Sequence, residues 1–583
     1  MLKGKGVSTG IGFGNIVVLK KVERKIEKKT IEGEQIEQEL ARVHKALEEV
    51  INETEIQMKN MSGTEADIMQ AYVMIMQDPT LISETEKAIK DSNYNAEYAV
   101  EVGFNSIIQI FESMDDEYMA SRSRDILDIK NRVLGKLFKE ETIDLSNLNP
   151  NTIIVATELT TSETAKLDFK NVSGIITELG GENSHTSIMA RTHTIPAITK
   201  VEEATKIFKD GYNVAINGTS GEIYVNPTEE EKQKLLDLEK QLEQEKSELD
   251  KYRNEQSITK DGTKVKLYAN IGLPADAEIA VNNTAEGVGL LRSEFLYMDS
   301  DTMPSEESQF EAYKKVAEIM KGKEAIIRTL DIGGDKELKY LKLEKEANPF
   351  LGYRAIRLCL DNPTIFKTQL RAILRASAFG KLAIMFPMIS SIEELRAAKQ
   401  VLQECKQELD NQNVVYDKNI QVGIMIEIPS AALIADQLAK ECDFFSIGTN
   451  DLIQYTVAVE RGNEKISKLY TKYHPAVIKL IKMAIDGAHS ANIICGMCGE
   501  AAGDPTFIPL LVGLGLDEFS MNSNNILRAR RTINNLDKEA CVKLGEEILQ
   551  MASAEEVEKR LKQYCPFGDV SVWDIFRKKI ARK

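Results

Sequence analysis

No stretch of the 583 residues approaches the run of about 18 apolar side chains that a membrane-crossing helix needs. The opening Met1-Leu2-Lys3-Gly4-Lys5-Gly6 also lacks the apolar segment of a secretory signal. A cytoplasmic chain with no direct membrane insertion is the expectation. Positive charge is scarce: 74 Lys and Arg stand against 91 Asp and Glu, a net of −17. Broad binding to nucleic acid or to an anionic membrane needs the opposite balance, so no nucleic-acid partner is expected. A disulfide framework is missing too. The seven cysteines, at 359, 405, 442, 495, 498, 541 and 565, are odd in number and scattered, and Cys495-Gly496-Met497-Cys498 has no second C-x-x-C to pair with. Residues three apart on a strand face opposite sides, which disfavours zinc or dithiol redox chemistry there. Nothing before Thr152 offers a glycine-rich phosphate loop leading into a helix, which argues against a nucleotide-binding module.

What is present is ordinary globular composition, 43% hydrophobic and 28% charged, in a chain long enough for three or four domains. Residues 1–20 mix glycine with β-branched side chains and read as a strand or hairpin. From about Glu32 to Phe138 the pattern is helical: Leu40, Val43, Leu47, Val50 and Ile51 form an amphipathic stripe. Met58, Met61, Met69, Met74 and Met76 follow, suited to core filling or to an adaptable binding surface. Residues 31–120 carry 5 basic and 20 acidic side chains, a net of −15 that would steer a basic partner. From Thr152 strand-like runs return around a helix that starts at His185, making a small α/β unit into which the helical block is inserted. Asn226-Pro227-Thr228-Glu229 reads as a helix start with Asn226 as cap, and a charged helix over 228–253 would be a rigid connector of roughly 39 Å.

Beyond Asp261 eight strand-like runs alternate with helical patterns: 265–271, 288–292, 325–330, 382–388, 422–428, 444–447, 493–497 and 518–521. Eight βα units in this length fit a (β/α)8 barrel, whose chemistry lies where strands end. Those ends carry Arg292, Arg328 with Asp331 beyond it, Glu427, Asn450-Asp451, and Cys498. Arginines suit bidentate capture of phosphate and carboxylate. Glu427 and Asp451 are hard oxygen ligands without a His or Cys partner, which favours Mg²⁺ over zinc. A lone thiol at a strand end can give a proton to a reacting carbon. Upstream, Gly180-Gly181-Glu182-Asn183-Ser184-His185 places an imidazole at a helix start, where unpaired N–H groups favour an anion such as phosphate.

The run from Gly180 to Arg191, followed by Ile195-Pro196-Ala197, resembles the phosphohistidine domain of the phosphoenolpyruvate-utilising enzymes. Gly289-Leu290-Leu291-Arg292-Ser293-Glu294-Phe295, Arg328-Thr329-Leu330-Asp331-Ile332-Gly333-Gly334-Asp335-Lys336, Gly448-Thr449-Asn450-Asp451-Leu452 and Gly496-Met497-Cys498-Gly499-Glu500 are similar to that family's barrel motifs. Domain order and length resemble its Enzyme I class, from the phosphoenolpyruvate-dependent sugar phosphotransferase system. The resemblance implies an α/β multidomain fold: an α/β phosphohistidine (swivelling) domain over 1–20 and 146–226, with an inserted helical HPr-binding bundle over 21–145. A linker helix over 227–258 then leads to a (β/α)8 barrel over 259–583 that binds phosphoenolpyruvate and forms a homodimer. It implies that His185 is phosphorylated through Nε2, with Thr186 beside it in support. Arg292, Arg328, Asn450, Asp451 and Arg461 would hold phosphoenolpyruvate, Glu427 and Asp451 would bind Mg²⁺, and Cys498 would protonate the enolate carbon. HPr is the implied acceptor.

The chain departs from the family pattern at a few points. Asn183 stands where Thr is usual, Ser187 where Ala is common, and Gln70-Ala71-Tyr72 replaces Glu-Ala-His in the carrier-docking bundle. A dikinase or synthase that charges the same histidine from ATP would need the missing nucleotide module. A regulatory relative would be expected to have lost His185, an arginine or a metal-binding acid.

Overall fold

The computed structural model describes residues 2–19, 26–58, 64–112, 117–139, 143–181, 185–298, 300, 302–334, 338, 340–341, 344, 346–463 and 465–565. Glu182, Asn183, Ser184, Asp335, Lys336 and Met61 of the sequence motifs lie outside the described residues. The chain divides into two compact units, Met1–Glu243 and Gln244–Lys583.

The first unit is built on an eight-stranded sheet: β1 (Leu2–Lys3), β2 (Lys5–Ser8), β3 (Ile11–Leu19), β4 (Thr152–Ala156), β5 (Val172–Thr177), β6 (Ala197–Thr199), β7 (Asn213–Asn217) and β8 (Glu222–Val225), in the order β1-β8-β7-β3-β4-β5-β6-β2. β3 to β6 run parallel, and the flanking pairs are antiparallel. All five residues of β4 are buried, as expected of a parallel strand covered on both faces. Alternation along it feeds two cores: Ile154 and Ala156 pack with Ile175 and Ala190, whereas Ile153 and Val155 pack with Ile16, Val18 and Ile216.

Five helices, Ile36–Met58, Thr64–Met76, Pro79–Lys90, Ala96–Glu112 and Glu117–Leu137, are inserted between β3 and β4 around a core of their own. The expected stripe supplies it: Leu40, Val43, Leu47 and Val50 are buried, with Ile51 packed at the margin. The methionines divide. Met69 and Met76 are buried, whereas Met74 is 67% exposed. Tyr72 is also a core residue of this bundle, while Gln70 on the same helix is exposed.

The connector helix runs Glu229–Asp250. Its cap lies later in the chain than the Asn-Pro pair suggests. Thr228 Oγ1 accepts from the Glu231 N–H at 3.3 Å, and Glu231 accepts from the Thr228 N–H at 2.8 Å, a reciprocal capping box. Asn226 instead takes a left-handed backbone with φ of 47°. The Thr-x-x-Glu pattern outcompetes the Asn-Pro pair because it satisfies two N–H groups at once.

The second unit is a closed barrel of eight parallel strands: β9 (Lys266–Ile271), β10 (Gly287–Arg292), β11 (Ala325–Arg328), β12 (Leu382–Phe386), β13 (Gln421–Ile426), β14 (Phe444–Ile447), β15 (Ile494–Met497) and β16 (Glu518–Asn522). All eight expected strands are present. Several stop one or two residues early, leaving Asp331 and Glu427 on the loops just past β11 and β13. Helices surround the barrel, and their packed faces with the outer faces of the strands form the largest core.

Candidate active site

The C-terminal ends of the barrel strands bring most of the sequence-predicted residues together. Arg328 ends β11 and is 5% exposed. Its Nη2 donates to Glu294 Oε1 at 2.5 Å, and its Nη1 lies 3.0 Å from Asp331 Oδ2. Burial works against the charge, but Glu294, Asp331 and Glu427 outweigh it and hold the guanidinium proton far more tightly than usual. Its Nε has no partner among the described residues, so one donor remains for a ligand. Arg292 ends β10 directly beside it, in register with Arg328. Arg292 is half-buried and has no ion-pair partner among the described residues.

Asp331 is shared between two cations. Its Oδ1 accepts from Arg354 Nη2 at 2.8 Å, and that same Nη2 stands 3.7 Å from Asp451 Oδ2. Arg354 Nη1 also donates to Tyr455 Oη at 3.2 Å. Arg354 is 3% exposed, its Nε lacks a partner among the described residues, and Asp331 with Asp451 raises its proton affinity against the effect of burial. Sequence reasoning missed this residue. It comes from the loop after β11, follows a turn rather than a strand, and its neighbour Ala355 has a φ of 53°. No periodicity points to it.

Glu427 sits one residue beyond β13 and is 1% exposed. One oxygen accepts the Met388 N–H at 2.7 Å. Burial first, then the nearby carboxylates Asp451 and Asp331, push the group up to about 8. Glu294, Asp331, Glu427 and Asp451 thus oppose the two buried guanidiniums of Arg328 and Arg354. Loss of the Glu427 proton would leave four carboxylates against two guanidiniums, a surplus of two negative charges that a divalent cation would complete, and the donors are all hard oxygens.

Cys498 follows β15 and packs inside the barrel with Leu290, Met385 and Met425. Cys495 packs in the outer core with the surrounding helices. The two sulfurs of the C-x-x-C therefore face opposite sides of the strand. Burial pushes the Cys498 thiol up to about 11, opposed by the nearby Ser446 hydroxyl and by the charge of Arg328, and the Sγ donates to the Ile447 carbonyl at 3.9 Å. A thiol so placed keeps its proton near neutral pH and can donate it to a stronger base.

Asn450 and Asp451 open the helix Thr449–Val457 after β14. Tyr470 Oη donates to the Asn450 carbonyl at 3.0 Å. Arg461 lies on the turn beyond that helix and is exposed; its backbone N–H donates to Gln454 Oε1 at 3.0 Å. Burial raises the proton affinity of Tyr470, and the charge of Arg461 opposes that rise, which puts the guanidinium within electrostatic reach of the tyrosine.

His185 belongs to the other unit. It is the first residue of the helix His185–Thr192, and its imidazole lies outside the described side chains. Gly180 turns the preceding loop with a φ of 109°, a backbone that a side chain would disfavour. Ser187 Oγ donates to the Gly181 carbonyl at 2.7 Å, tying the loop to the first turn, and Thr186 and Ser187 are both buried. Arg191 Nη1 donates to the Val7 carbonyl at 3.3 Å, anchoring the helix to β2.

Comparison with known proteins gives three family matches in order along the chain. The N-terminal domain model of the PEP-utilising enzymes matches residues 3–122, the mobile domain model 148–221 and the PEP-binding domain model 246–538. A phosphoenolpyruvate-protein phosphotransferase of Listeria monocytogenes is 45% identical over 569 residues, covering 97% of this chain and 99% of its own. Proteins of the same name from Staphylococcus carnosus and Bacillus subtilis are each 45% identical, over 571 and 567 residues and 99% of their lengths.

Proposed function

The chain belongs to the phosphoenolpyruvate-utilising enzymes, and on that premise we propose that it transfers the phosphoryl group of phosphoenolpyruvate to His185 and then to the carrier protein HPr, releasing pyruvate. The observation that carries this reading is the buried cluster of Arg328, Arg354 and four carboxylates beside the protonated thiol of Cys498, all at the C-terminal end of one barrel.

Phosphoenolpyruvate brings a phosphate and a carboxylate. Arg292, Arg328, Asn450, Asp451 and Arg461 would hold it, with the open donors of Arg292 and the Nε of Arg328 turned to its anionic groups. Glu427 and Asp451 would hold Mg²⁺, which when bound supplies positive charge against the substrate oxygens. Neutral His185 Nε2 attacks phosphorus, the bridging P–O bond breaks, and its electrons pass to the enolate. C3 of that enolate takes the proton from Cys498 Sγ, and pyruvate forms. Thr186 would support the ring or the phosphate.

The same reading assigns the parts. Residues 1–20 and 146–226 would be the phosphohistidine domain, 21–145 the HPr-binding bundle, 227–258 the linker helix and 259–583 the substrate-binding and dimerising barrel of a cytoplasmic homodimer. The acidic surplus of the bundle supports docking of a basic carrier, and its exposed Met74 and Ile110 offer apolar contacts. Tyr72, buried in the bundle core, would support that surface without touching the carrier.

The test is incubation with radiolabelled phosphoenolpyruvate and Mg²⁺. The expected result is acid-labile, base-stable label on the protein that chases to HPr. His185→Ala should carry none, and a chelator should stop labelling of the wild type. Undiminished labelling of His185→Ala, or labelling from ATP instead, would overturn the proposal.

A further inference from the structure

Groups from three other barrel strands converge on the backbone of Cys498. Alternation decides which side chains take part. Leu267, Ala269 and Ile271 on β9 pack in the outer core, as do Phe519 and Met521 on β16, so Asn270 and Ser520 face the barrel interior. There Asn270 Nδ2 donates to the Cys498 carbonyl at 2.8 Å and reaches the Ser520 carbonyl at 3.5 Å, while Ser520 Oγ donates to Asn270 Oδ1 at 2.7 Å. The amide and the hydroxyl fix each other. A carbonyl only accepts, so the amide must present its nitrogen to Cys498, and its oxygen then faces the Ser520 hydroxyl. Ser520 is fully buried, and β10 leaves room for it: a Cβ on Gly289 would stand 2.5 Å from Ser520 Oγ.

The other side of Cys498 is held from β14. The Cys498 N–H donates to the Ile447 carbonyl at 3.1 Å. The following residue is held as well, because a Cβ on Gly499 would stand 1.6 Å from Thr449 Oγ1, an approach that only glycine permits. Both peptide groups of Cys498 are therefore anchored, one through Ile447 and one through Asn270. Peptide groups are planar, so the two backbone torsions between them have little freedom. A cysteine has one further heavy-atom torsion, which leaves Sγ a few staggered positions. In the position it takes here, Sγ donates to the Ile447 carbonyl at 3.9 Å.

We propose that Asn270, locked by Ser520, is a positioning residue for the acid of the reaction: it holds the Cys498 carbonyl so that the thiol can reach the carbon it protonates. The inference rests on the reading above that Cys498 protonates the enolate carbon. Proton transfer needs donor and acceptor in contact and aligned, and a misplacement of about 1 Å can cost on the order of 10²-fold in rate. Asparagine suits the place because its amide joins an acceptor on one side to a donor on the other. An aspartate would set a second oxygen against the Cys498 carbonyl oxygen and push the two apart.

The experiment is steady-state pyruvate formation by the full-length protein with phosphoenolpyruvate, Mg²⁺ and HPr, in a cycle of wild type, Asn270→Asp, Cys498→Ala and the double variant. Asn270→Asp keeps the size of the side chain and its bond from Ser520, and replaces the donor with an oxygen. It should lower kcat by about 10²-fold with KM within about twofold of wild type. In the Cys498→Ala background the same substitution should change the rate by less than about twofold, because the group it positions is gone. Equal slowing in both backgrounds would mean that Asn270 shapes the barrel rather than the thiol, and would overturn the proposal. A rise in KM at unchanged kcat, or no slowing at all, would overturn it too. Should Asn270→Asp fail to fold, Ser520→Ala, which frees the amide to rotate, is read in the same cycle with a loss of about tenfold expected and the same contrary outcomes. Cys498→Ala at the wild-type rate would instead remove the thiol from the function proposed above, and the positioning role with it.

Discussion

In the unit Gln244–Lys583 a core of the polar residues near the strand ends is buried and bonded: Arg328 to Glu294 and Asp331, Arg354 to Asp331 and Tyr455, Glu427 to the Met388 N–H. In the unit Met1–Glu243, His185 opens an eight-residue helix that Ser187 ties to the preceding loop and Arg191 ties to β2. The first arrangement is an electrostatic cradle whose charges are fixed before any ligand arrives, the condition under which stabilisation of a reacting phosphate costs no reorganisation. The second places one residue of the proposed reaction at the start of a short helix. On the proposed function the difference would separate work: the barrel would perform the chemistry on phosphoenolpyruvate, and the helix would carry the product of that chemistry to a second protein.

The largest expected effect breaks the cradle. Arg328→Ala leaves Glu294 and Asp331 buried with one guanidinium fewer, and should destabilise the barrel by about 3–5 kcal/mol while abolishing pyruvate formation. Denaturant unfolding of the variant checks the first half, and a loss below about 1 kcal/mol would mean that the cluster is well enough solvated to stand without it. The next sharpens the division between the units. Cys498→Ala should lower pyruvate formation by about 10²–10⁴-fold yet leave phosphate exchange between the protein and HPr close to wild type. Equal loss in both half-reactions would make the thiol structural.

Much of this division is legible in the order of the amino acids. The eight strands show as apolar runs between helical patterns, and the residues at their ends include Arg292, Arg328, Asp331, Glu427, Asp451 and Cys498. The reason is geometric: in a barrel the strand end is the site, so a one-dimensional boundary maps onto a three-dimensional mouth. Arg354 escapes such a reading because a loop residue carries no periodic signal, and its role depends on Asp331 being shared across the fold. Glu294 stands in a recognisable motif, but its pairing with Arg328 joins the helix start after β10 to the end of β11. The helix cap falls at Thr228 rather than Asn226 because two capping signals overlap within three residues, and the reciprocal one wins.

That cap gives the smallest expected effect. Thr228→Ala removes the hydroxyl that accepts from the Glu231 N–H and should cost about 1 kcal/mol of helix stability, with both half-reactions unchanged. Thermal melting and the two exchange assays measure it. A loss of activity larger than the loss of stability would show that the start of the connector matters to the transfer itself.

The claim on which the comparison rests is tested most directly by separating the units. A fragment of residues 1–250 ends with the connector helix, and its folding is verified by circular dichroism. Given labelled phospho-HPr, it should take up label reversibly at His185. Given labelled phosphoenolpyruvate and Mg²⁺, it should take up none. Labelling of the folded fragment directly from phosphoenolpyruvate would contradict the account, because the chemistry would then not need the barrel.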